Sequence, residues 1–456
     1  MAKLIIGISG VRGIVGDSLT PDIVVDFARA FGEFCGRGPI LLGRDGRTSG
    51  KILASLSSST LLSMGTDVIA LGIAPTPTIG LAVEKARAAG GISITASHNP
   101  VEWNGLKLFG SDGLFFDEDS NKRLQEILDQ GKRGYVGWNE LGTYRLDSSY
   151  IDLHLSSVLA LPYLDITGLR QRKFRVAVDC VNGAGGVVVP RLLQEFGCEV
   201  IPLNCEPNGL FAHNPEPLPE HLIDLCKMVR KEKADLGVAV DPDADRLVLI
   251  TEEGAPFGEE YTIASCVKYV LGKEKASGRG HLKVCVNIST TRAVDDIAST
   301  YGASVVRTPV GELNVVRKMR ETGAVIGGEG SGGVILPAAH LRRDALVGIA
   351  LTLQHLLEFG GTMSGLKKSL PKYHIEKKKV RTKVDSLEAI FSEIRSRHSG
   401  TKPNTDDGLK LDFDDYWVHI RKSNTEPILR IIAEATTEEK AKTVAERFAR
   451  EINNIR

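Results

Sequence analysis

Three short segments of this 456-residue chain carry side chains suited to group transfer. Thr95-Ala96-Ser97-His98-Asn99-Pro100 offers a hydroxyl nucleophile, Ser97, with His98 beside it as a further catalytic candidate. Asp241-Pro242-Asp243-Ala244-Asp245-Arg246 sets three carboxylates at alternate positions. Gly328-Glu329-Gly330-Ser331-Gly332-Gly333 is a glycine-rich turn with one carboxylate and one hydroxyl. A nucleophile, a cation site and a reader of polyols converging on one cleft would suit phosphoryl transfer to a sugar.

Each segment has an ordinary reading as well. Ser, Asn and Pro are common turn formers, and on the bare TASHNP string a turn is the favoured reading. A Ser-His-Asp hydrolase fits poorly: G-x-S-x-G is absent, and adjacent side chains on a strand point apart. The Asp cluster is more specific. Three close carboxylates repel unless a cation joins them, and hard oxygen ligands favour Mg²⁺ or Ca²⁺ over Zn²⁺. Glu252 stands at the twelfth position of an EF-hand count, but Arg246 replaces its sixth-position Gly, and the flanking runs are strands. A metal site is preferred to a polar hairpin turn. GEGSGG matches G-x-G-x-x-G, yet VILP continues it as a strand, so a pyrophosphate would lack its helix N-terminus. A turn that brings Glu329 and Ser331 to a ligand, with bare glycines letting a ring approach, fits better.

A fourth segment, Arg421-Lys422-Ser423-Asn424-Thr425-Glu426-Pro427 with Arg430 beyond, reads either as a hairpin turn or as an anion cradle. Arg supplies bidentate donors to phosphate. Alone it is balanced between the two; beside the other loops, phosphate binding is preferred. No Walker A sequence is present, so ATP is not implied.

Three repeated units deliver the first three loops. Each opens with an apolar strand ending in a turn (39–50, 174–186, 282–292), continues through a helix to a second strand (64–72, 196–204, 301–309), and ends in a third strand carrying one of the loops. Alternating strands and helices predict α/β layers with mostly parallel strands. Sites in such sheets form at the carboxyl ends of strands. Arg12 falls in a Gly-rich turn between short strands at 7–16. The next stretch predicts a helix with Thr20 as N-cap and Pro21 at its first position. A helix near 147–160 links the first two units, 205–221 is an ordered crossover loop, and 344–360 is a long amphipathic helix with Asp344 near its cap. The tail predicts a charged strand (YHIEKKKVRTKV), a helix, two strands around a turn and a closing helix, giving a smaller α+β domain. The expected domains are 1–150, 151–255, 256–368 and 369–456.

Bulk composition excludes other classes. The chain is 42% hydrophobic and 25% charged, with formal net charge +0, so nothing favours nucleic acid or an anionic membrane surface. Seven cysteines, odd in number and without a CxxC pair, argue against a disulfide framework or a zinc knuckle. The apolar start is too short for a signal peptide, and no stretch could span a bilayer. A cytoplasmic protein, monomer or homodimer, is expected.

Taken together, TASHNP, D-x-D-x-D-R, G-E-x-S-G and R-x-S-N-T-x-P resemble the α-D-phosphohexomutase superfamily in order and approximate spacing, over nearly the whole chain. The resemblance implies three similar α/β domains and a C-terminal domain like the TATA-binding-protein fold, around a central cleft. It implies that Ser97 carries a phosphoryl group and, with Asp241, Asp243 and Asp245, holds Mg²⁺. Glu329 and Ser331 would read sugar hydroxyls. Arg421, Ser423, Asn424 and Thr425 would grip the non-reacting phosphate of a hexose phosphate or bisphosphate. Arg12 and Lys107 would flank the reacting group, and Arg246 would lie beside the phosphoserine. Lys107 is a candidate base only if its pKa is depressed.

One departure stands out. Familiar bacterial members end the sugar loop in His, where this chain has Gly333, and Gly330 replaces a Met or Gln. The pattern is closer to archaeal-type phosphomannose/phosphoglucose and phosphoglucosamine mutases, leaving the sugar's 2-substituent open. His340 is a candidate substitute for that missing His, but a surface residue is the expected reading. Two competing readings are a Mg²⁺-dependent sugar phosphatase with an Asp nucleophile and a non-catalytic sugar-phosphate sensor.

Overall fold

The computed structural model describes residues 4–7, 10–131, 134–381, 387–422 and 428–455. The chain divides into two compact units, Met1–Thr262 with Ser331–Lys367, and Ile263–Gly330 with Lys368–Arg456.

The first unit opens with a seven-stranded sheet. Its order is Ile5–Gly7, Gly10–Ile14, Trp103–Phe109, Gly90–Ile94, Ile40–Arg44, Val68–Ile73, Tyr144–Leu146. Ile40–Arg44 runs parallel to both Val68–Ile73 and Gly90–Ile94. Parallel neighbours need crossovers, here the helices Gly50–Ser63 and Thr76–Ala86. Gly90–Ile94 is buried at every position, as expected of a strand covered on both faces. Beyond the TASHNP loop the chain returns antiparallel as Trp103–Phe109, setting Lys107 opposite Ser93. Gly10–Ile14 then pairs antiparallel with this return strand, opposing Arg12 to Gly105. Arg12 therefore lies on a strand and not in the turn expected for it.

A second sheet orders Leu247–Thr251, Leu236–Val240, Arg175–Asp179, Glu199–Leu203. The first pair is antiparallel and the other two are parallel. The Asp loop is thus the connection from a fully buried strand, Leu236–Val240, into its antiparallel neighbour.

The helix Pro21–Cys35 has Thr20 at its N-cap and Pro21 at its first position. The linking helix is Ser149–Leu159. The helix Ala345–Phe359 departs from expectation. Every residue from Ala345 to Leu356 is buried, including Gln354 and His355. A helix apolar on all sides belongs to a core, so this one is not amphipathic. Its N-cap is Asp344, whose Oδ1 accepts from Leu346 N at 2.8 Å. Asp344 Oδ2 meets His154 Nε2 at 2.7 Å and His340 Nε2 at 2.9 Å. The far ring nitrogen of His154 bonds Thr78 Oγ1 at 2.8 Å. His340 is therefore a buried residue and not the expected surface one. The cluster ties the Thr76–Ala86, Ser149–Leu159 and Ala345–Phe359 helices together.

In the second unit, Lys283–Asn287 is parallel to Ser304–Thr308 and to Ile326–Glu329. The tail is a five-stranded antiparallel sheet in the order His374–Val380, Leu429–Ala435, Tyr416–Lys422, Leu409–Asp412, Pro403–Asn404. Ile390, Ile394, Val444 and Phe448 of the helices Leu387–Arg397 and Glu438–Asn453 pack on Val418, Ile420 and Ile431. Each such buried side chain contributes roughly 1.5–3 kcal/mol. The strands Pro403–Asn404 and Leu409–Asp412 were not expected from the sequence. No helix among the described residues is long and apolar enough to cross a membrane.

Candidate active site

The strand Gly90–Ile94 ends at Thr95, and Ser97 follows with φ 50°, in the left-handed region. A non-glycine residue there is uncommon and strained unless its surroundings hold it. The hold is Arg47, fully buried in the GRDGRTSG turn after Ile40–Arg44. Its Nη2 donates to Ser97 O and Asn99 O, both at 2.7 Å. Its Nη1 donates to Pro100 O at 2.6 Å and Trp103 O at 3.0 Å. Its Nε donates to Asp45 Oδ2 at 3.0 Å, and that same oxygen accepts from Thr95 Oγ1 at 2.7 Å. All five guanidinium N–H groups are engaged, four of them with loop carbonyls. Because Ser97 is left-handed, strand alternation does not apply to it and its neighbour. His98 Nδ1 lies 3.3 Å from Ser97 Oγ, contrary to the expectation that the two side chains point apart.

Ser97 Oγ donates to Asp241 Oδ2 at 2.9 Å, joining the nucleophile candidate to the Asp cluster. Asp241 Oδ1 accepts from the backbone N–H groups of Asp245 and Arg246, both at 3.2 Å. Ala244, with φ 53°, makes the turn that folds them back. Asp243 Oδ2 accepts from Thr76 Oγ1 at 2.5 Å and Lys107 Nζ at 2.6 Å. Asp245 Oδ2 accepts from Arg343 Nη2 at 2.8 Å and Lys107 Nζ at 3.4 Å. The three carboxylates each offer one oxygen within 4.8 Å of the others.

The remaining oxygens test whether a cation fits. Asp243 Oδ1 and Asp245 Oδ1 are buried without a hydrogen-bond partner. A buried, unpaired carboxylate oxygen is costly, and a divalent cation would satisfy both. Burial, reinforced by the charges of Asp245 and Asp243, pushes Asp241 well above the usual carboxylate range. For Asp245, burial acts upward but is overridden by Arg343, Lys107 and Arg246, so its carboxyl is held low. The donor set is all oxygen, as hard cations require. The cluster can therefore bind a metal ion.

Positive charge surrounds this centre. Burial works against the Lys107 ammonium, yet Asp243 and Asp245 prevail and raise its pKa. The direction is upward, opposite to the depressed value a base would need. Arg246, burial and Arg12 together lower His98 well below its usual value, keeping it neutral. Arg12 Nη1 donates to Asn99 Oδ1 at 3.1 Å. Arg246 Nε is buried without a hydrogen-bond partner, 3.9 Å from Asp245 Oδ1.

The other expected residues are placed as follows. In the second unit, Glu329 ends the strand Ile326–Glu329, and its Oε1 accepts from Asn287 Nδ2 at 2.9 Å and Gly311 N at 3.0 Å. Arg421 pairs with Asp407 through Nη2 at 3.2 Å, while its Nε is buried without a hydrogen-bond partner. Arg430 is exposed. Ser423, Asn424 and Thr425 lie outside the described residues. In the first unit, Ser331 is half-buried. The glycines beyond it pack closely against the protein itself. A Cβ on Gly332 would stand 2.3 Å from Leu247 O, and one on Gly333 would stand 2.3 Å from Arg343 Cδ. Arg47, Thr76 and Arg343 were missed in the sequence. Arg47 and Thr76 do follow strand ends, the signal that could have found them; Arg343 has none.

A hydroxyl on a strained turn, a carboxylate cluster fit for a cation, and four cationic side chains around them define a phosphoryl-transfer enzyme. The chain belongs to the phosphoglucomutase/phosphomannomutase family: it matches alpha/beta/alpha domain I over residues 3–134, domain II over 150–254, domain III over 258–373 and the C-terminal domain over 375–451. It is 38% identical to "Probable phosphoglucosamine mutase" of Methanopyrus kandleri, over 97% of this chain and 96% of that one. It is 39% identical to "Phosphoglucomutase/phosphomannomutase" of Thermococcus kodakarensis, over 98% and 97%. A phosphoglucomutase/phosphomannomutase family protein from Burkholderia thailandensis superposes with TM-score 0.85 at 25% identity, covering 98% of this chain and 96% of that one. The chain is accordingly a phosphohexose mutase, an isomerase interconverting hexose 1-phosphates and 6-phosphates, and the phosphatase and sensor readings give way to it.

Proposed function

We propose that Ser97 is the residue that carries the phosphoryl group, and that the hydrogen bond from its Oγ to Asp241 Oδ2 is the observation that carries this reading. It joins a strained, buried hydroxyl to the carboxylate cluster. Asp241, Asp243 and Asp245 would hold Mg²⁺ together with the Ser97 phosphoryl group. When bound, the ion supplies neutralisation of charge on the transferring phosphoryl oxygens.

In the forward half-reaction a sugar hydroxyl attacks the phosphorus of phosphoserine. The P–Oγ bond breaks, and a proton leaves the sugar oxygen while Ser97 Oγ gains one. The resulting bisphosphate turns end for end and returns its other phosphoryl group to Ser97. Lys107, Arg12 and Arg246 stabilise the moving charge, preorganised by their partners. The unpartnered Arg246 Nε is a donor awaiting an oxygen. Asp241 Oδ2 accepts the Ser97 Oγ proton, and His98 Nδ1 lies 3.3 Å from the same hydroxyl. Glu329 and Ser331 read sugar hydroxyls. Arg421, with Ser423, Asn424, Thr425 and Arg430, anchors the phosphate that is not reacting.

Glucosamine phosphate is the substrate in the name of the Methanopyrus kandleri relative, and we take it as the first reading here. The Thermococcus kodakarensis relative favours a second, glucose and mannose phosphates. Assay of the 1-phosphates of glucosamine, N-acetylglucosamine, glucose and mannose side by side separates them. The test of the mechanism is Ser97→Ala. It should abolish mutase turnover and the phosphatase-sensitive phosphoryl increment in intact mass, while thermal stability changes little. Undiminished conversion by Ser97→Ala would overturn the assignment.

A further inference from the structure

Residues 333–334 and 343–344 run side by side, because Asp344 N donates to Val334 O at 2.9 Å. This lays the side chain of Arg343 across Gly333. A Cβ on Gly333 would stand 2.3 Å from Arg343 Cδ and 3.0 Å from Cγ. Those atoms are the middle of the side chain and not its free end, so any residue but glycine would push the arginine from its course. At the end of that course, Nη2 donates to Asp245 Oδ2 at 2.8 Å. Arg343 is 11% exposed and Asp245 1% exposed, so the pair is shielded from solvent. Its mount is rigid: the next residue, Asp344, caps a helix buried from Ala345 to Leu356 and is gripped by His154 and His340. The neighbouring Arg342 differs, since it binds Gly113 O at 2.6 Å and Glu84 Oε2 at 3.0 Å, away from the carboxylate cluster.

We propose that Arg343 is a positioning residue of the phosphoryl-transfer site: passing over Gly333, it fixes the Asp245 carboxylate through Oδ2 and leaves the buried Oδ1 as the metal-ligand atom. Gly333 is the other half of the device, because its missing Cβ is the space the arginine occupies. The inference rests on the reading of Asp241, Asp243 and Asp245 as a divalent-cation site. Partners that orient a ligating carboxylate matter in general: their loss typically costs about 10–100-fold in metal affinity or activity.

The experiment is Mn²⁺ binding to the full chain, followed by the electron paramagnetic resonance signal of free Mn²⁺, without substrate. Arg343→Ala should weaken binding about tenfold or more. Arg343→Lys keeps the charge but not the fork, and should not restore wild-type affinity. Gly333→Ala should weaken binding in the same direction, and in the Arg343→Ala background it should add nothing. This non-additivity marks two residues acting as one unit. If Arg343→Ala binds Mn²⁺ as tightly as wild type or more tightly, or if the two substitutions add, the proposal is wrong. Gly333→Ala and Arg343→Lys keep the test open should Arg343→Ala fail to fold. Asp243→Asn separates the premises: if it leaves Mn²⁺ binding intact, the cation-site reading fails instead.

Discussion

Arg47 is a side chain whose removal should separate the Ser97 loop from the rest of the fold. Replacement by Met keeps a long apolar stem and deletes all five donors. Two consequences can be sized from the contacts. The first is Asp45, fully buried and left without its cation. Breaking a buried pair by removing one partner costs about 3–5 kcal/mol. Asp45 keeps the hydroxyl of Thr95 at 2.7 Å and the backbone N–H of residue 47 at 2.9 Å, so the low end applies. About 3 kcal/mol corresponds to a roughly 150-fold shift in an equilibrium constant, survivable for a protein with about 5–15 kcal/mol to lose. The second consequence is local. The carbonyls of Ser97, Asn99, Pro100 and Trp103 lose their shared donor. Pro100 is exposed and Asn99 half-buried, so the loop can open to water before its carbonyls bear the full cost of being unpaired. Its strained Ser97 conformation should then be lost. Hydrogen exchange read by mass spectrometry should show faster exchange across 97–103, beyond any global change. Mutase turnover should fall by far more than the 1-phosphate KM rises. A variant with unchanged exchange in that segment and near-normal turnover would refute the argument that Arg47 holds Ser97 and its loop in a working conformation.

Three further expectations concern other parts of the molecule. Asp243→Asn should abolish metal-dependent turnover, since it changes a carboxylate with one unpartnered buried oxygen; activity that survives exhaustive chelation in wild type would count against the metal. Stability should decline in acid through the His154–Asp344–His340 cluster. Burial, aided by Arg342 and against the pull of Asp344, lowers His340 below its ordinary value near 6.5, so its contribution is complete above that pH and lost as pH falls below it. Asp344 adds a second loss in the same direction: burial acts upward on it, but His154 and His340 hold it low, so its contribution is present above about 3.9 and disappears further into acid. His340→Gln should flatten the drop in thermal midpoint between pH 7 and pH 5, and an unaltered slope would exclude this origin. Arg421→Ala should slow both directions of the reaction and release more bisphosphate, because one anchor serves both ends of a reversing intermediate; impairment of one direction alone would contradict a shared anchor.

The sequence by itself determined which candidate chemical groups are present and their places along the chain. Ser97, Asp241, Asp243, Asp245 and Glu329 could be read because each follows an apolar run in a repeated strand–helix order, and both signals are local. The Thr20–Pro21 helix start was legible for the same reason. What remained belongs to contacts between residues far apart in the chain. Arg47 reads as a surface-type residue in a glycine-rich turn, and only packing against residues 97–103 makes it the clamp of the loop. Lys107 reads in the string as a base or a cation, and only the fold sets its ammonium against Asp243 and Asp245, 136 and 138 positions away. His340 reads as a surface residue and the helix after Asp344 as an amphipathic one, yet elements on other sides bury them. Gly333 is the sharpest case. Its meaning lies in a side chain ten residues on, and only the tertiary path of Arg343 toward Asp245 supplies it. Local periodicity and turn chemistry are properties of neighbouring residues and survive in the string; steric exclusion and charge pairing depend on distances that exist only once the chain has folded.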